Sequence, residues 1–340
     1  MTTKIAINGF GRIGRCVFRA FFENQSKYKD LEIVAINDLA PLETNLYLLK
    51  YDSAHGKFKE TAEIKDGNIV VGGKTIKVCA ERDANNLPWK ELGIDIVLEC
   101  TGIFLERDKA APHINAGAKK VMMSGPTKTP DTVKTIVVGV NDDQLTASDD
   151  MVSNASCTTN CLAPVAKLLD ASVGIEKGHM TTIHSYTNDQ NILDRVHSDL
   201  RRSRAGAVNM IPTSTGAAKA VGLVLPQLKG KLDGVSIRVP TPDVSFVDLS
   251  FVSKRDTSVE EINDIIKNGA ADKALQGVLA VTSDQVVSID LLHDPHSSTF
   301  DTTQTKVLNK NFVRIGAWYD NEWGYSNRML DLAQIWAAKK

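Results

Sequence analysis

The stretch that most constrains the fold is Lys4-Ile5-Ala6-Ile7-Asn8 followed by Gly9-Phe10-Gly11-Arg12-Ile13-Gly14. The first five residues read as a short buried strand, and the next six form a G-x-G-x-x-G turn. Ile13, Val17, Ala20 and Phe21 then share one helical face, so the turn opens a helix. Glycines at 9, 11 and 14 permit a tight turn, close approach of a pyrophosphate to the backbone, and close helix–sheet packing. A second strand, Glu32 to Asn37, ends at Asp38, where an acid accepts from ribose hydroxyls. A bare glycine motif is often only a turn. The complete strand–turn–helix–strand–acid unit predicts a dinucleotide site.

Further strands follow with helical stretches between them. Asn68 to Val71 and Thr75 to Val78 flank Gly72-Gly73 as a hairpin. Ile94 to Glu99, Lys120 to Met123 and Thr135 to Val140 read as buried apolar strands, and Arg107 to Ala111 as helix. This alternation predicts an α/β Rossmann domain, doubly wound on a mostly parallel sheet, with ligand at the carboxyl ends of the strands. Arg82, Thr101 and Ser124 fall at such ends.

The pattern changes after a thiol-bearing segment, Ser153-Asn154-Ala155-Ser156-Cys157-Thr158-Thr159-Asn160-Cys161. An extended stretch there gives way to a helix with Leu162, Val165, Leu168 and Leu169 on one face. Cys157 is expected at the helix N-terminus, where free N–H groups and the macrodipole favour a thiolate. Cys161 has no further Cys or His at ligand spacing and reads as packing, so no metal site is expected. Beyond it, Met180 to Thr187, Gly234 to Val239 and Val244 to Phe251 alternate as antiparallel strands do. Ser258 and Glu261 form a capping box. The expectation is an α+β catalytic domain with a mainly antiparallel sheet. Domain bounds are set at 1–155 and 156–321, with a C-terminal helix, 322–340, packing back on the first domain. A long aperiodic segment, 184–211, carries Arg195, Arg201, Arg202 and Arg204, and such a loop reads as an interface or functional element.

The chain's 340 residues suit two domains, and its net charge of −1 gives no electrostatic case for nucleic acid or membrane. Five cysteines, an odd number, suit a reducing cytoplasm. The N-terminus leads directly into a strand, so no signal peptide is expected. No apolar run approaches the roughly 18 residues that span a bilayer.

A dinucleotide fold with a candidate thiolate points to aldehyde oxidation through a thioester, which requires a base near the thiol. His184, on a strand shortly after the Cys157 helix, is the leading base. His55, His113, His179, His197, His293 and His296 read as surface or packing residues.

These residues carry a resemblance. Asn8 to Arg15, Ser153 to Cys161, His184 to Thr187, Ser214 to Ala220 and Trp318 to Ser326 resemble phosphorylating glyceraldehyde-3-phosphate dehydrogenases of the bacterial, NAD-dependent type, essentially end to end. The resemblance implies oxidation of glyceraldehyde 3-phosphate with NAD and inorganic phosphate to 1,3-bisphosphoglycerate, in a glycolytic, cytoplasmic homotetramer. It assigns Cys157 as nucleophile and His184 as its activator. Gly9, Gly11, Arg12, Ile13, Gly14, Asp38, Arg82, Ser124 and Asn321 match cofactor contacts. Thr187 and Arg238 match the substrate-phosphate site. Ser156, Thr158, Arg202, Thr215 and Gly216 match contacts to substrate and attacking phosphate. Arg195-Val196 departs from the leucine–proline pair common in NAD-specific bacterial members. The alternatives are erythrose-4-phosphate dehydrogenase, which differs near Thr187 and around Thr215-Gly216, and a non-catalytic nucleotide-binding protein on the same fold.

Overall fold

The computed structural model describes residues 2–339. The chain divides into two compact units. One holds the residues up to Ile136, Asp142–Ala155 and those from Ser326 on, and the other holds Val137–Asn141 with Ser156–Tyr325.

The first unit runs β1 (Thr3–Asn8), α1 (Arg12–Glu23), β2 (Leu31–Asn37), α2 (Leu42–Lys50), β3 (Tyr51–Asp52), β4 (Gly56–Lys57), β5 (Ala62–Lys65), β6 (Asn68–Val71) and β7 (Lys74–Cys79). It continues through α3 (Trp89–Leu92), β8 (Ile96–Glu99), α4 (Arg107–Asn115), β9 (Lys120–Met123), β10 (Lys134–Thr135) and β11 (Met151–Ser153). Nine strands form one sheet in the order β10-β11-β9-β8-β1-β2-β7-β6-β5. Pairing is parallel from β10 to β7, and the β5–β6–β7 meander adds the antiparallel edge, including the hairpin expected at Gly72-Gly73. Strand order reverses between β1 and β8, which is where open α/β sheets bind ligands. Register levels the carboxyl ends there: Asn8 pairs with Asn37 and with Glu99, and Glu99 pairs with Met123.

Val17, Phe18, Phe21 and Phe22 of α1 are buried, with Phe10 edge-on to Phe18 at 5.5 Å. Trp89, Val97, Ala110 and Val121 belong to one further buried cluster. The C-terminal residues contribute Met329, Leu332, Ala333 and Trp336, all fully buried. The Tyr28 hydroxyl donates to Asp331 at 2.9 Å, and the Trp336 indole N–H to the Thr146 carbonyl at 3.3 Å. Truncating a buried tryptophan of this kind costs about 3–5 kcal/mol.

Residues 135–140 depart from the expected strand. Only Lys134–Thr135 pairs, and the chain then turns. Gly139 takes φ +79°, and the Asn141 side chain accepts from Val137 N at 2.8 Å, so a side chain satisfies the backbone in place of a ladder.

The second unit runs α5 (Cys157–Ser172), β12 (Ile175–Ser185), β13 (Ile211–Ser214), α6 (Ala217–Val224), β14 (Leu232–Val239), β15 (Ser245–Ser253), α7 (Val259–Ala270), β16 (Leu279–Thr282), β17 (Ser298–Leu308), β18 (Phe312–Tyr319) and the start of α8 (Trp323–Ala338). Its seven strands lie in the order β13-β14-β12-β15-β18-β17-β16. The sheet is mainly antiparallel, but β12–β14 and β16–β17 are parallel. Alternation along a strand reports one covered face and carries no information on strand direction. The parallel pairing has a consequence for the site: it sets His184 opposite Arg238. The Ser258 cap is present, with Oγ accepting from Glu261 N.

Candidate active site

The first unit carries a cavity of about 460 Å³ at the carboxyl ends of β1, β2 and β8. Gly9, Gly11, Asp38 and Arg82 line it, together with Asn8, Asn37, Leu39, Glu81, Thr101, Ile103 and Phe104. Its shape fits a dinucleotide. A Cβ on Gly14 would lie 2.1 Å from the Gly9 carbonyl, and one on Gly9 2.7 Å from Thr101 N. A Cβ on Gly11 would meet nothing, so the space above that turn is open for a pyrophosphate. Asp38 is held at the cavity by its neighbours: one carboxylate oxygen accepts from Phe10 N at 2.7 Å, the other from Ala40 N at 2.8 Å. Leu39 (52% exposed) and Ile103 (67% exposed) are apolar lips suited to a base ring.

Other expected cofactor residues lie elsewhere. Arg12 begins α1, so its N–H faces the helix N-terminus, while its guanidinium makes a two-pronged pair with Asp52 at 3.0 and 3.2 Å. That pair and two backbone N–H groups hold the Asp52 carboxyl well below the usual carboxylate range, against its burial. Ile13 follows in the same turn of α1. Ser124 closes β9, its N–H donating to the Glu99 carbonyl, and it does not line the cavity. Asn321 belongs to the second unit, where its side-chain oxygen accepts from Ser185 Oγ at 2.7 Å and Ser245 Oγ at 2.6 Å. Leu39, Ile103 and Phe104 escaped sequence reasoning because single apolar loop residues carry no periodic signal. Their place directly after two strand ends was the available clue.

The chain enters α5 through Ala155, the last residue before the second unit, a buried non-glycine residue at φ +58°. Ser156 then caps the helix, its Oγ accepting from Thr159 N at 3.0 Å. This puts half-buried Cys157 in the first turn, with Sγ 3.6 Å from Nε2 of buried His184. His184 Nδ1 is 2.7 Å from the Ser185 carbonyl, and Nε2 faces the sulfur. Arg238 Nη1 lies 2.9 Å from Nδ1 and donates to the same carbonyl at 3.1 Å. Burial, then the Arg238 charge, push the His184 pKa down to about 3. Burial likewise pushes the Cys157 thiol up, against the pull of Arg238 and of Thr158. Burial thus opposes the charged form of both groups. The helix start and Arg238 favour the expected thiolate, and desolvation works against it.

The polar groups around this pair divide into two sets. Thr158 Oγ1 and Thr182 Oγ1 meet at the hydroxyl of Tyr319, 2.8 and 2.9 Å away, and that ring lies edge-on to His184. Arg238 Nε is buried without a hydrogen-bond partner among the described residues, an open donor suited to an anion. Arg202 is already engaged: Nη1 pairs with Asp189 at 2.7 Å and Nε donates to Thr213 Oγ1 at 2.8 Å. Asp189 was not singled out from the sequence. Thr187 N donates to Gln190 Oε1 at 3.0 Å. Thr215 Oγ1 accepts from Ala217 N, and Gly216 caps α6, so its backbone N–H groups form a second helix-start donor set. Cys161 is fully buried near Ser298, as packing, and all five cysteines are free thiols.

Comparison with known proteins agrees with both halves. The family profile described as the NAD binding domain of glyceraldehyde 3-phosphate dehydrogenase matches residues 3–107, and that of its C-terminal domain matches 156–321. The chain is 60% identical to a glyceraldehyde-3-phosphate dehydrogenase of Xanthobacter flavus and 57% identical to one of Zymomonas mobilis, each over 98% of both chains. It is 53% identical to one of Geobacillus stearothermophilus over 100% of this chain and 99% of the other. With matches to both domains and identity of this level along almost its whole length, the chain belongs to the glyceraldehyde-3-phosphate dehydrogenase family.

Proposed function

We propose that the protein catalyses the NAD-dependent oxidative phosphorylation of D-glyceraldehyde 3-phosphate to 1,3-bisphosphoglycerate, with Cys157 as nucleophile and His184 as acid–base. The observation that carries the residue roles is the Cys157–His184 pair, 3.6 Å apart with Nε2 facing the sulfur. His184 takes the thiol proton as Sγ bonds to the aldehyde carbon, and returns it to the carbonyl oxygen. It takes that hydroxyl proton again as the carbon loses hydride, leaving a thioester on Cys157. Gly9, Gly11, Gly14 and the N–H groups of Arg12 and Ile13 would hold the NAD pyrophosphate, Asp38 the adenosine ribose, with Arg82, Ser124 and Asn321 as further contacts. NAD, when bound, supplies the hydride acceptor. An oxygen of inorganic phosphate then attacks the thioester carbon and Cys157 leaves as thiolate, which recovers a proton from His184.

Two phosphate groups need two donor sets. Arg238, with its open Nε, and Thr187 would bind the substrate's phosphate. Arg202, Thr215, Gly216, Ser156 and Thr158 would receive the attacking phosphate, with Asp189 yielding Arg202 as the anion arrives. The quaternary proposal is a homotetramer built through the loop that exposes Ile192, Leu193, Val196 and Leu200 between 76 and 96%. Five free thiols support a reducing, cytoplasmic setting for glycolytic work. Among the described residues no helix is long and apolar enough to cross a membrane.

The test is mass spectrometry after reaction with substrate and NAD in the absence of phosphate. The expected result is one phosphoglyceroyl adduct on the peptide bearing Cys157, removed by adding phosphate. An unmodified Cys157 under turnover conditions would overturn the proposal.

A further inference from the structure

A buried carboxylate that the reaction does not use sits under the dinucleotide cavity. Glu99 ends β8 and is fully buried, as is His113 on α4. One Glu99 oxygen accepts from the Thr101 N–H at 2.8 Å and from the Thr101 hydroxyl. The other accepts from Asn8 Nδ2 at 2.6 Å and lies 3.1 Å from His113 Nε2. The tautomer of His113 is fixed from behind: the Trp89 indole N–H, which can only donate, points at Nδ1 from 3.1 Å. Nδ1 is thus the acceptor, Nε2 carries the proton, and all four neighbours of Glu99 donate. The place suits a carboxylate: an amide there would set its N–H groups against the Thr101 N–H on one side or against the Asn8 and His113 N–H groups on the other, with only the Thr101 hydroxyl able to turn and accept.

The same network reaches across the sheet. Asn8 Oδ1 accepts from Asn37 Nδ2 at 2.7 Å, and Asn37 exchanges two hydrogen bonds with the backbone of Glu81, at 2.8 and 2.9 Å. The ends of β8, β1 and β2 and the segment after β7 are therefore tied side chain to side chain at the reversal of strand order. Asn8, Asn37, Glu81 and Thr101 also line the cavity. The Gly9 turn and the Thr101 turn touch so closely that no Cβ fits between them, and Glu99 binds the residue before the first and within the second.

We infer that Glu99, oriented by the Trp89–His113 pair, is a positioning residue that presets the dinucleotide cavity by locking Asn8 and Thr101 together. It acts through cavity shape and touches no reacting atom. The inference rests on the cavity being the NAD site.

Glu99→Gln replaces an acceptor oxygen with a donor that faces other donors. The expected result is a Kd for NAD and for ADP-ribose, by calorimetry, raised at least about tenfold. The KM for NAD should rise in parallel, while kcat and the rate of Cys157 alkylation in the NAD-free protein stay within about twofold. Trp89→Phe keeps the ring and removes the indole N–H; it should raise both Kd values about threefold, and it decides the matter if Glu99→Gln does not fold. NAD and ADP-ribose binding within twofold of wild type in the folded variants overturns the inference, as does a fall in kcat and alkylation rate with Kd unchanged. Wild-type protein that binds no NAD overturns the cofactor reading together with this one, whereas a wild type that binds it beside unaffected variants overturns this one alone.

Discussion

Arg238 lies beside His184 on the neighbouring strand, its Nη1 2.9 Å from the ring nitrogen that faces away from Cys157. Burial, and the fixed cation there, push the imidazole's pKa down to about 3.

That placement has a stability signature. Unfolded histidine titrates near 6.5, whereas folded His184 stays neutral down to about 3. Between those values the unfolded chain binds one more proton, so stability is lost as pH falls through the window, by up to about 1.4 kcal/mol per pH unit. His184→Asn removes this contribution. Urea unfolding at several pH values from 4 to 7, which covers most of this window of about 3.5 units, should give a shallower pH slope for the variant than for wild type. Equal slopes would show that His184 protonates freely in the folded protein.

Cofactor choice turns on two residues of opposite sign. The Asp38 carboxylate, fixed by Phe10 N and Ala40 N, would meet a 2′-phosphate as a like charge. If its loop reaches the cofactor of a neighbouring chain, exposed Arg195 would be a flexible, screened attraction for the same phosphate. Steady-state kinetics should show clear preference for NAD. Asp38→Gly should raise NADP efficiency relative to NAD, and Arg195→Leu should lower whatever NADP activity exists. Wild-type efficiency with NADP equal to that with NAD means that the two were weighed wrongly.

If Arg202 receives the attacking phosphate, its loss should separate the two half-reactions. A charge-assisted contact to phosphate contributes about 1.5–3 kcal/mol, so Arg202→Leu should raise the KM for phosphate roughly 10- to 100-fold. The burst of NADH formed without phosphate should keep its amplitude. Loss of the burst would assign Arg202 to the acylation step instead.

Charging the exposed apolar loop should break the assembly. Leu193→Glu combined with Val196→Glu should reduce the mass found by light scattering from four chains to fewer, with circular dichroism unchanged. Wild-type protein that scatters as a single chain at micromolar concentration rules out the tetramer.

Much of this was legible in the residues because local chemistry wrote it. The G-x-G-x-x-G unit, the hairpin at Gly72-Gly73 and the Ser258 cap each depend on near neighbours, and each lies where expected. The strand expected at 135–140 was not, since a glycine at φ +79° and an asparagine cap override an apolar run without changing its composition. The direction of β14 beside β12 was hidden for a different reason: alternation is identical in both directions. The shifts that burial imposes on Cys157 and His184 come from residues distant in the chain, which helix-end position cannot report. The Asp189–Arg202 pair joins two residues inside an aperiodic loop, and no spacing rule marks it.

The central claim is oxidation of an aldehyde through a Cys157 thioester that phosphate resolves. One absorbance experiment at 340 nm tests it most directly, with glyceraldehyde 3-phosphate and NAD, phosphate present or absent, on wild type and Cys157→Ser. The expected result is sustained NADH formation with phosphate, a burst of at most one equivalent per chain without it, and loss of nearly all turnover in Cys157→Ser with NAD binding retained. Sustained phosphate-independent turnover, or substantial activity in Cys157→Ser, would contradict it.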